Sequence, residues 1–353
     1  MAFSRKKIDE ALNEFNQSVK PISLYKDAWK RLKKNKMALT GMGIVLLYFL
    51  VSLLAPVLPF YPYERQEMRH IHLPPSLDKA GIVWLRTREA FLVKVMASEG
   101  RSEYTAAEIA ELQSIRQEIE IDPVHKRIYI FGTDILGRDL LSRTIYGGRI
   151  SIAIGVVGTI TALLVGVFWG AVAGFVGGRI DNLMMRFVDI VYGLPYMMVV
   201  IVLMALFGGK SIILLFIAIA MVSWLTIARV VRGQIISLKN SEFVEAARSI
   251  GAGTPRIIGK HLLPNTLGII IVYSSLSFPT FILNESFLSF LGLGISAPMA
   301  SWGTLINDGV NGMQFYPWLL LVPAIAMTLF MFSMNFLGDG LRDAFDPQGK
   351  NRT

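Results

Sequence analysis

The sequence contains no cysteine, which excludes disulfides, thiolate metal sites and cysteine nucleophiles. It is also poor in charge: 17% of its 353 residues are Asp, Glu, Lys or Arg, whereas an ordinary soluble domain has about 25%. Hydrophobic residues make up 53% of the chain, and the mean hydropathy is +0.50. These values indicate a membrane protein. The net charge of +9 does not require a nucleic-acid partner, because the basic residues flank apolar runs as the positive-inside rule describes.

Groups of residues suited to catalysis or nucleotide binding are missing as well. The four histidines are scattered; His70 and His72 are close enough to share a metal ion but have no further ligand nearby. The segment 253–261 has the glycines and lysine of a phosphate-binding loop. However, one residue too many separates the glycines, and histidine stands where serine or threonine is required. We therefore expect a non-catalytic chain without a metal or cofactor of its own, so any ATP that drives it is hydrolysed by another chain.

Long apolar runs predict an all-α integral membrane protein with six transmembrane helices, since about 20 apolar residues cross the hydrocarbon core. The predicted spans are residues 39–60, 150–176, 184–207, 211–230, 266–291 and 317–337. An even number of spans places both termini on one side, and the basic residues indicate that this side is the cytoplasm. The connection between the third and fourth spans has only Lys210, whereas the segment 229–265 carries six Lys or Arg and is predicted to be cytoplasmic.

The predicted cytoplasmic ends are residues 1–38 and the tail 339–353. Residues 1–38 carry ten Lys or Arg against four Asp or Glu. Leu24, Ala28 and Leu32 form one helical stripe with Tyr25 and Trp29 beside it, which favours a helix in the membrane interface with its lysines toward anionic headgroups. A plain cytosolic tail is the alternative.

Residues 61–149 are of a different kind, with thirteen Lys or Arg, thirteen Asp or Glu and no run able to span. Thr105 to Glu108 has the pattern of a capping box, and Leu112, Ile115 and Ile119 follow at helical spacing. We predict a small extracytoplasmic subdomain between the first two spans, with at least one helix.

Small residues recur every fourth position in the second predicted span. They are Ala162, Gly166, Gly170, Gly174 and Gly178. A stripe of this kind lets another helix approach closely, although chance in a glycine-rich span would also produce it, and the partner helix could belong to this chain or to another.

Charged residues inside the predicted spans include Arg186, Asp189 and Glu285. Arg186 and Asp189 lie three residues apart, which predicts a local ion pair near the cytoplasmic interface. Glu285 lies well within the fifth span, which Pro279 loosens, and an ionisable group there is costly. It could line a substrate path, contact a partner subunit, or bond to Ser or Asn near the outer interface.

The longest polar interruption among the spans is 241–265, within the cytoplasmic loop 229–265. Ser241 is a good N-cap, Phe243, Ala247 and Ile250 share one face of the helix that follows, and Gly251 suits the C′ position. A second helix is predicted from Thr254, with Pro255 at its first position and Leu263-Pro264 at its end. The result is a helix, a glycine turn and a helix. It suits a groove of another protein, or it is an ordinary interfacial hairpin.

This loop resembles the EAA loop of permease subunits of bacterial ATP-binding-cassette (ABC) importers. The matching residues are Glu245, Ala246, Ala247, Gly251, Ile257, Leu263 and Pro264. Other segments resemble the C-type permeases of oligopeptide, dipeptide and nickel importers: 131–139, Ser142-Arg143, Tyr146-Gly147, 149–151, 285–294, 301–303 and 338–347. The likeness covers the chain from the basic N-terminal segment to Pro347, apart from residues about 72–128, which look like an insertion.

The resemblance implies a type I ABC importer permease fold in the bacterial cytoplasmic membrane. It further implies a second, homologous permease subunit, two ATPase subunits that bind the ATP and magnesium, and an extracytoplasmic solute-binding protein. The EAA loop is then the coupling helix that docks into a cleft of the ATPase. Peptides are the expected cargo, with nickel chelates, glutathione or a peptide antibiotic as alternatives. A secondary transporter acting alone is a more distant one, for which neither inverted repeats nor a chain of buried acids is visible.

Overall fold

The computed structural model describes residues 24–207 and 212–345, and these are helical apart from loops, turns and two isolated β-bridges. In chain order the helices are α1 (Leu24–Lys34), α2 (Lys36–Leu54), α3 (Ala80–Ser98), α4 (Ala106–Ile121), α5 (Leu140–Val176), α6 (Gly178–Gly193), α7 (Tyr196–Leu206), α8 (Ile212–Ser223), α9 (Leu225–Leu238), α10 (Glu242–Ser249), α11 (Thr254–Leu293), α12 (Trp302–Val310) and α13 (Trp318–Phe345). Of the predicted features, residues 1–23, Lys210, residues 346–353 and the side chains of Leu24 and Tyr25 lie outside the described part.

Five helical segments of the described chain are long and apolar enough to cross a membrane: α2, α5, α8 with α9, α11 and α13. Helices α6 and α7 make a sixth span only if they are counted together, and they are bent by 83°. The predicted all-helical membrane fold is therefore confirmed, but the third span is not the single helix expected over 184–207. Pro195 explains the break, because the residue before a proline avoids helical geometry, and Leu194 is extended at ψ 136°.

Two predicted boundaries fall inside helices. Helix α5 begins at Leu140, ten residues before the expected start of its span, because the Asp139 carboxylate caps it by accepting the Ser142 N–H at 3.0 Å. Helix α13 continues to Phe345 instead of ending near residue 337. The second and sixth spans thus extend as helices well beyond their apolar stretches.

The two ends of the helix bundle carry different structures, and we name each end after the structure that it carries. The hairpin end carries α3 and α4; the loop end carries α10. At the hairpin end, the Tyr146 hydroxyl donates to the carbonyl of Ala55 at 3.2 Å, and the rings of His72 and Tyr316 stack at 3.9 Å between centroids. These contacts attach residues 55–72 to the starts of α5 and α13.

Helix α1 forms as predicted and packs against protein at the loop end. Its Ala28 and Leu32 are buried against Ala38 and the last turns of α13 at Leu341 and Phe345. The described part of the predicted apolar stripe, Ala28 and Leu32, is therefore covered by α13, while Trp29 remains 47% exposed.

The predicted subdomain contains a pair of packed helices, α3 and α4. The capping box at Thr105 and Glu108 is present, and both Leu112 and Ile115 are buried, as the helical spacing predicted. Ion pairs fasten the two helices: Arg88 donates to both carboxylate oxygens of Glu111 at 2.8 and 2.9 Å. A bidentate pair of this kind fixes orientation as well as attraction.

The base of this hairpin buries histidines. His70 and His125 lie 2.8 Å apart between Nε2 and Nδ1, Trp84 stacks on His125, and the Tyr129 hydroxyl is 3.3 Å from His70 Nδ1. His70 and His72 have different partners, so they do not face one ion. Burial, with the neighbouring His125, lowers the pKa of His70 to about 4.

Candidate functional site

The glycine stripe of α5 places α9 against it within this chain. A Cβ built on Gly166 would lie 2.8 Å from the carbonyl oxygen of Trp224, and one on Gly174 would lie 2.8 Å from that of Arg232. Ala162 in the same stripe is also buried. Gly178 differs: it begins α6 with φ +61°, and a Cβ there would meet nothing within 4 Å. The stripe therefore ends with Gly174.

Ion pairs also fasten α9 to α6. Arg232 donates to both oxygens of the Asp181 carboxylate, each at 2.6 Å. Asp189 pairs with Arg229 at 2.7 Å, so the local pair expected between Arg186 and Asp189 is not the one that forms. The sequence alone did not reveal this partner because it lies forty residues further along the chain.

Helix α10 and the turn after it form a compact element at the loop end. Ser241 stands at the N-cap position, but its hydroxyl donates to the Leu238 carbonyl instead of capping the helix. Gly251 adopts φ +83° and its N–H bonds the Arg248 carbonyl at 2.9 Å, while the Ala252 N–H bonds the Ala247 carbonyl at 3.0 Å. This pair of bonds is a Schellman motif, so Gly251 is the C′ residue that the sequence indicated.

Helix α10 has one buried face and one exposed face. Val244 and Ala247 are buried, at 0% and 3% exposure, whereas Phe243 and Ile250 are exposed at 39% and 85%. Of the three residues predicted to share one face of this helix, Ala247 alone is buried. The positions of Phe243 and Ile250 leave apolar surface open beside the exposed Glu245.

The second predicted helix does not end at Leu263-Pro264. It begins at Thr254, with Gly253 as its N-cap, passes through a π-helical stretch Ile257–Leu262 and continues as the long span. Pro264 lies in the first turn of the α-helix that follows the π-helical stretch, where a missing N–H is tolerated. The second predicted helix is therefore the first part of α11, and no break separates it from the membrane span.

The residues matched to the EAA loop divide into two groups by burial. Ala247 and Ile257 lie in the hydrophobic core together with Leu262. Four others are exposed, namely Glu245, Ala246, Gly251 and Pro264. Leu263 is half-buried. The buried group holds α10 on the start of α11, and the Arg248 guanidinium lies 5.7 Å above the Phe175 ring near the end of α5. The exposed group is free to contact another protein.

A second cluster lies at the hairpin end, where two separate sequence segments, 142–151 and 301–303, meet around Trp302. Its indole N–H donates to the Thr144 carbonyl at 2.9 Å, and its backbone N–H donates to the Ser151 hydroxyl at 3.1 Å. A Cβ on Gly148 would lie 2.6 Å from the indole ring. The segments 142–151 and 301–303 are therefore packing partners.

Glu285 belongs to this cluster. Its side chain is fully buried and accepts hydrogen bonds from Ser301 at 2.5 Å, Ser289 at 2.6 Å and Ser151 at 3.4 Å. Three hydroxyls around one carboxyl group correspond to the serine-bonded alternative among the three roles considered. These hydroxyls belong to α5, α11 and the N-cap of α12. Glu285 therefore holds the three helices together at the hairpin end of the bundle.

A charged group lies beside that cluster. The Asp134 carboxylate accepts Arg138 Nε at 2.7 Å and Arg143 Nη1 at 2.6 Å, and also the backbone N–H groups of Leu136 and Arg138 at 2.9 Å. Both guanidinium side chains are at most 5% exposed. Sequence reasoning noted these residues only as part of a resemblance, because nothing local shows that two arginines share one acid.

Comparison with known proteins agrees with this architecture. Residues 166–350 match the model of the binding-protein-dependent transport system inner membrane component, and residues 23–75 match the N-terminal transmembrane domain of oligopeptide transport permease C. The hairpin α3–α4 falls between the two matched ranges.

Curated relatives cover almost the whole chain. The dipeptide transport system permease protein DppC of Bacillus subtilis is 41% identical over 97% of this chain and 92% of its own length. The oligopeptide transport system permease protein OppC of Escherichia coli K12 is 39% identical over 98% and 99%. A solved structure of the MetNI methionine ABC transporter matches at 15% identity, covering 57% of this chain and 95% of that one, with a TM-score of 0.47.

The helices and these matches define a multi-pass membrane protein of the transport-permease class. The chain belongs to the family of binding-protein-dependent transport system inner membrane components.

Proposed function

We propose that this chain is one of two homologous permease subunits of an ATP-driven importer of peptides and forms half of the translocation pathway. Relatives named as dipeptide and oligopeptide permeases, at 41% and 39% identity over nearly the full chain, support the peptide cargo. Two ATPase subunits and an extracytoplasmic binding protein complete the assembly. The loop end then faces the cytoplasm with both termini, and the hairpin end faces outward.

The observation that carries the coupling role is the division of α10 into a buried and an open face. Val244 and Ala247 fix it to the core, whereas Ile250 is 85% exposed and lies next to the glycine turn. Together with Phe243, Ile250 gives α10 an exposed apolar surface beside the glycine turn, which suits a groove of a partner protein. Since α10 packs on the start of α11, a push on α10 reaches a helix that runs the length of the membrane.

The proposed mechanism is alternating access. Closure of the ATPase pair on ATP moves α10 together with α11, and the spans shift between two arrangements that open to opposite sides. No covalent chemistry in this chain is needed, because the ATPase changes the relative stability of the two arrangements through contacts that differ between them.

Reconstitution tests this function with a matched pair of glycine substitutions. The complex of this chain, the second permease, the ATPases and the binding protein is placed in proteoliposomes, and ATP-dependent uptake of di- and oligopeptides is measured beside nickel chelates and glutathione. Gly251→Val should abolish peptide uptake, because φ +83° suits glycine alone. Gly253→Val should retain most of it, because Gly253 has φ −72° and open space around it. Equal uptake in the two variants contradicts the coupling role, and uptake of chelates but not peptides contradicts the cargo.

A further inference from the structure

Two neighbouring cavities at the hairpin end share a wall. One, the polar cavity, has about 300 Å³ and is bordered by Arg138, Arg143, Ser289, Thr304, Asn307 and Asp308, among others. The other, the apolar cavity, has about 340 Å³ and is bordered mainly by Tyr63, Tyr146, Ile150, Phe216 and Ala300, with Arg149 at its exposed edge. Arg143 and Met299 border both.

The polar cavity is bordered by more cationic side chains than acidic ones, namely Arg138 and Arg143 against Asp308. Asp134, which both arginines contact, is already occupied by four donors. Asp308 is the other acid, but its carboxylate is 3.8 Å from Arg143 Nη1 and 46% exposed. Within the described residues, the buried Arg143 Nε has no hydrogen-bond partner. Because Arg143 also borders the cavity, its guanidinium favours an added carboxylate, the group whose geometry a guanidinium matches.

The apolar cavity restricts what carries that carboxylate. Its wall is aromatic and aliphatic, and the stacked rings of Tyr63 and Tyr146, 4.4 Å apart between centroids, hold it in shape. A ligand that spans the shared wall therefore has a carboxylate directly beside an apolar side chain. The C-terminal residue of a peptide has both groups on one carbon atom.

We propose that the two cavities together receive the C-terminal residue of the transported peptide, with its carboxylate at Arg143 and its side chain in the apolar cavity. This inference rests on the proposed peptide cargo. The wall of the polar cavity at Gly292 leaves open space, because a Cβ there would meet nothing within 4 Å. A peptide N-terminal amine is disfavoured in the polar cavity, because two arginines border it and Asp308 is the one acid that does so in the described chain.

Photolabelling of the complete complex in membrane vesicles tests the site. A peptide with a benzophenone amino acid as its C-terminal residue, its C-terminal amide, and a peptide with the probe at the N-terminus are each imported and then illuminated. The free-acid C-terminal probe should label this chain at the wall near Met299 and Phe216. The amide should label there about tenfold less per peptide imported, because charged hydrogen bonds are lost. The N-terminal probe should not label this wall.

Two adjacent substitutions serve as opposite controls of charge. Asp308→Asn removes the competing acid and should raise labelling by the free-acid probe about threefold, whereas Asn307→Asp should lower it by a similar factor. Both residues border the polar cavity, and the Asp308 side chain is exposed enough for substitution without unfolding.

The outcomes separate the inference from the proposed function. Import of the free-acid probe with label elsewhere, or with no label on this chain, overturns the site but leaves peptide transport standing. Equal labelling by acid and amide overturns the role of Arg143. If none of the peptides is imported, the peptide cargo itself fails and the site with it.

Discussion

The packing of α5 on α9 yields a stability prediction at a single methyl group. At Gly170, a Cβ would lie 2.9 Å from Val231 Cβ and closer still to the Ala228 carbonyl oxygen. The obstacle is backbone and a β-branched side chain, neither of which can rotate away. Gly170→Ala therefore has to separate the two helices.

The expected magnitude follows from two opposing effects. Overpacking of a well-packed contact costs about 1–3 kcal/mol, while replacing a helical glycine by alanine contributes up to about 1 kcal/mol in the other direction. Because the obstacle to the new methyl group is backbone, its cost falls in the upper part of that range, about 2–3 kcal/mol, and the net loss for Gly170→Ala is then about 1–2 kcal/mol. Gly233 in α9 provides the matched control, because a Cβ there meets nothing within 4 Å. Gly233→Ala should be neutral or slightly stabilising.

Thermal denaturation of the purified chain in one detergent, followed by the fraction that stays monodisperse, measures both variants. Gly170→Ala should lower the midpoint by about 4 °C, and Gly233→Ala should not lower it. If Gly170→Ala is as stable as the parent, or if the two variants lose stability equally, the close approach of α5 and α9 at this position is wrong.

Two further predictions concern buried polar groups. Since burial lowers the pKa of His70 to about 4 while the unfolded chain titrates near 6.5, its contribution to stability is complete above about pH 6.5. That contribution, about 3 kcal/mol, is lost as the pH falls toward 4. Amide hydrogen-exchange protection factors of α3 and α4, which are corrected for the intrinsic pH dependence of exchange, should fall between pH 6.5 and pH 4 and fall less in His70→Gln. Unchanged protection factors at pH 4 contradict this prediction. Glu285→Ala leaves three hydroxyls without their acceptor and should cost about 3 kcal/mol, whereas Glu285→Gln keeps one acceptor oxygen and should cost less than half as much. Thermal denaturation ranks them, and the reverse order contradicts the serine cluster.

Local rules predicted those parts of the fold that depend on neighbours in sequence. The capping box at Thr105 and the glycine turn at Gly251 are formed by residues within a few positions of each other, and both are present. Apolar run length predicted five of the spans for the same reason, but not the break at Pro195 in the third. The prediction that the helix ends at Leu263-Pro264 was wrong, because a π-helical stretch precedes Pro264 and the chain continues as an α-helix.

Features that depend on distant partners could not be read from the sequence. Asp189 has a basic neighbour three residues away but pairs with Arg229, because packing of α6 on α9 decides which charge is near. Phe243, Ala247 and Ile250 share one helical face by their spacing, but only tertiary packing decides that Val244 is buried and Phe243 and Ile250 are exposed. The gathering of Glu285 and Trp302 with α5 also requires the tertiary structure, although both lie in segments that the family resemblance had marked.

The central claim is that the exposed face of α10 is where the ATPase acts. The natural absence of cysteine makes its direct test simple, because Ile250→Cys gives the chain a unique thiol on that face. In the assembled complex this thiol should cross-link to an ATPase subunit through a short bifunctional reagent, and ATP should change the yield. Leu77→Cys, 79% exposed at the hairpin end, should not cross-link to it. An Ile250→Cys thiol that stays fully accessible to a soluble maleimide in the complex, and never cross-links to the ATPase, would contradict the claim.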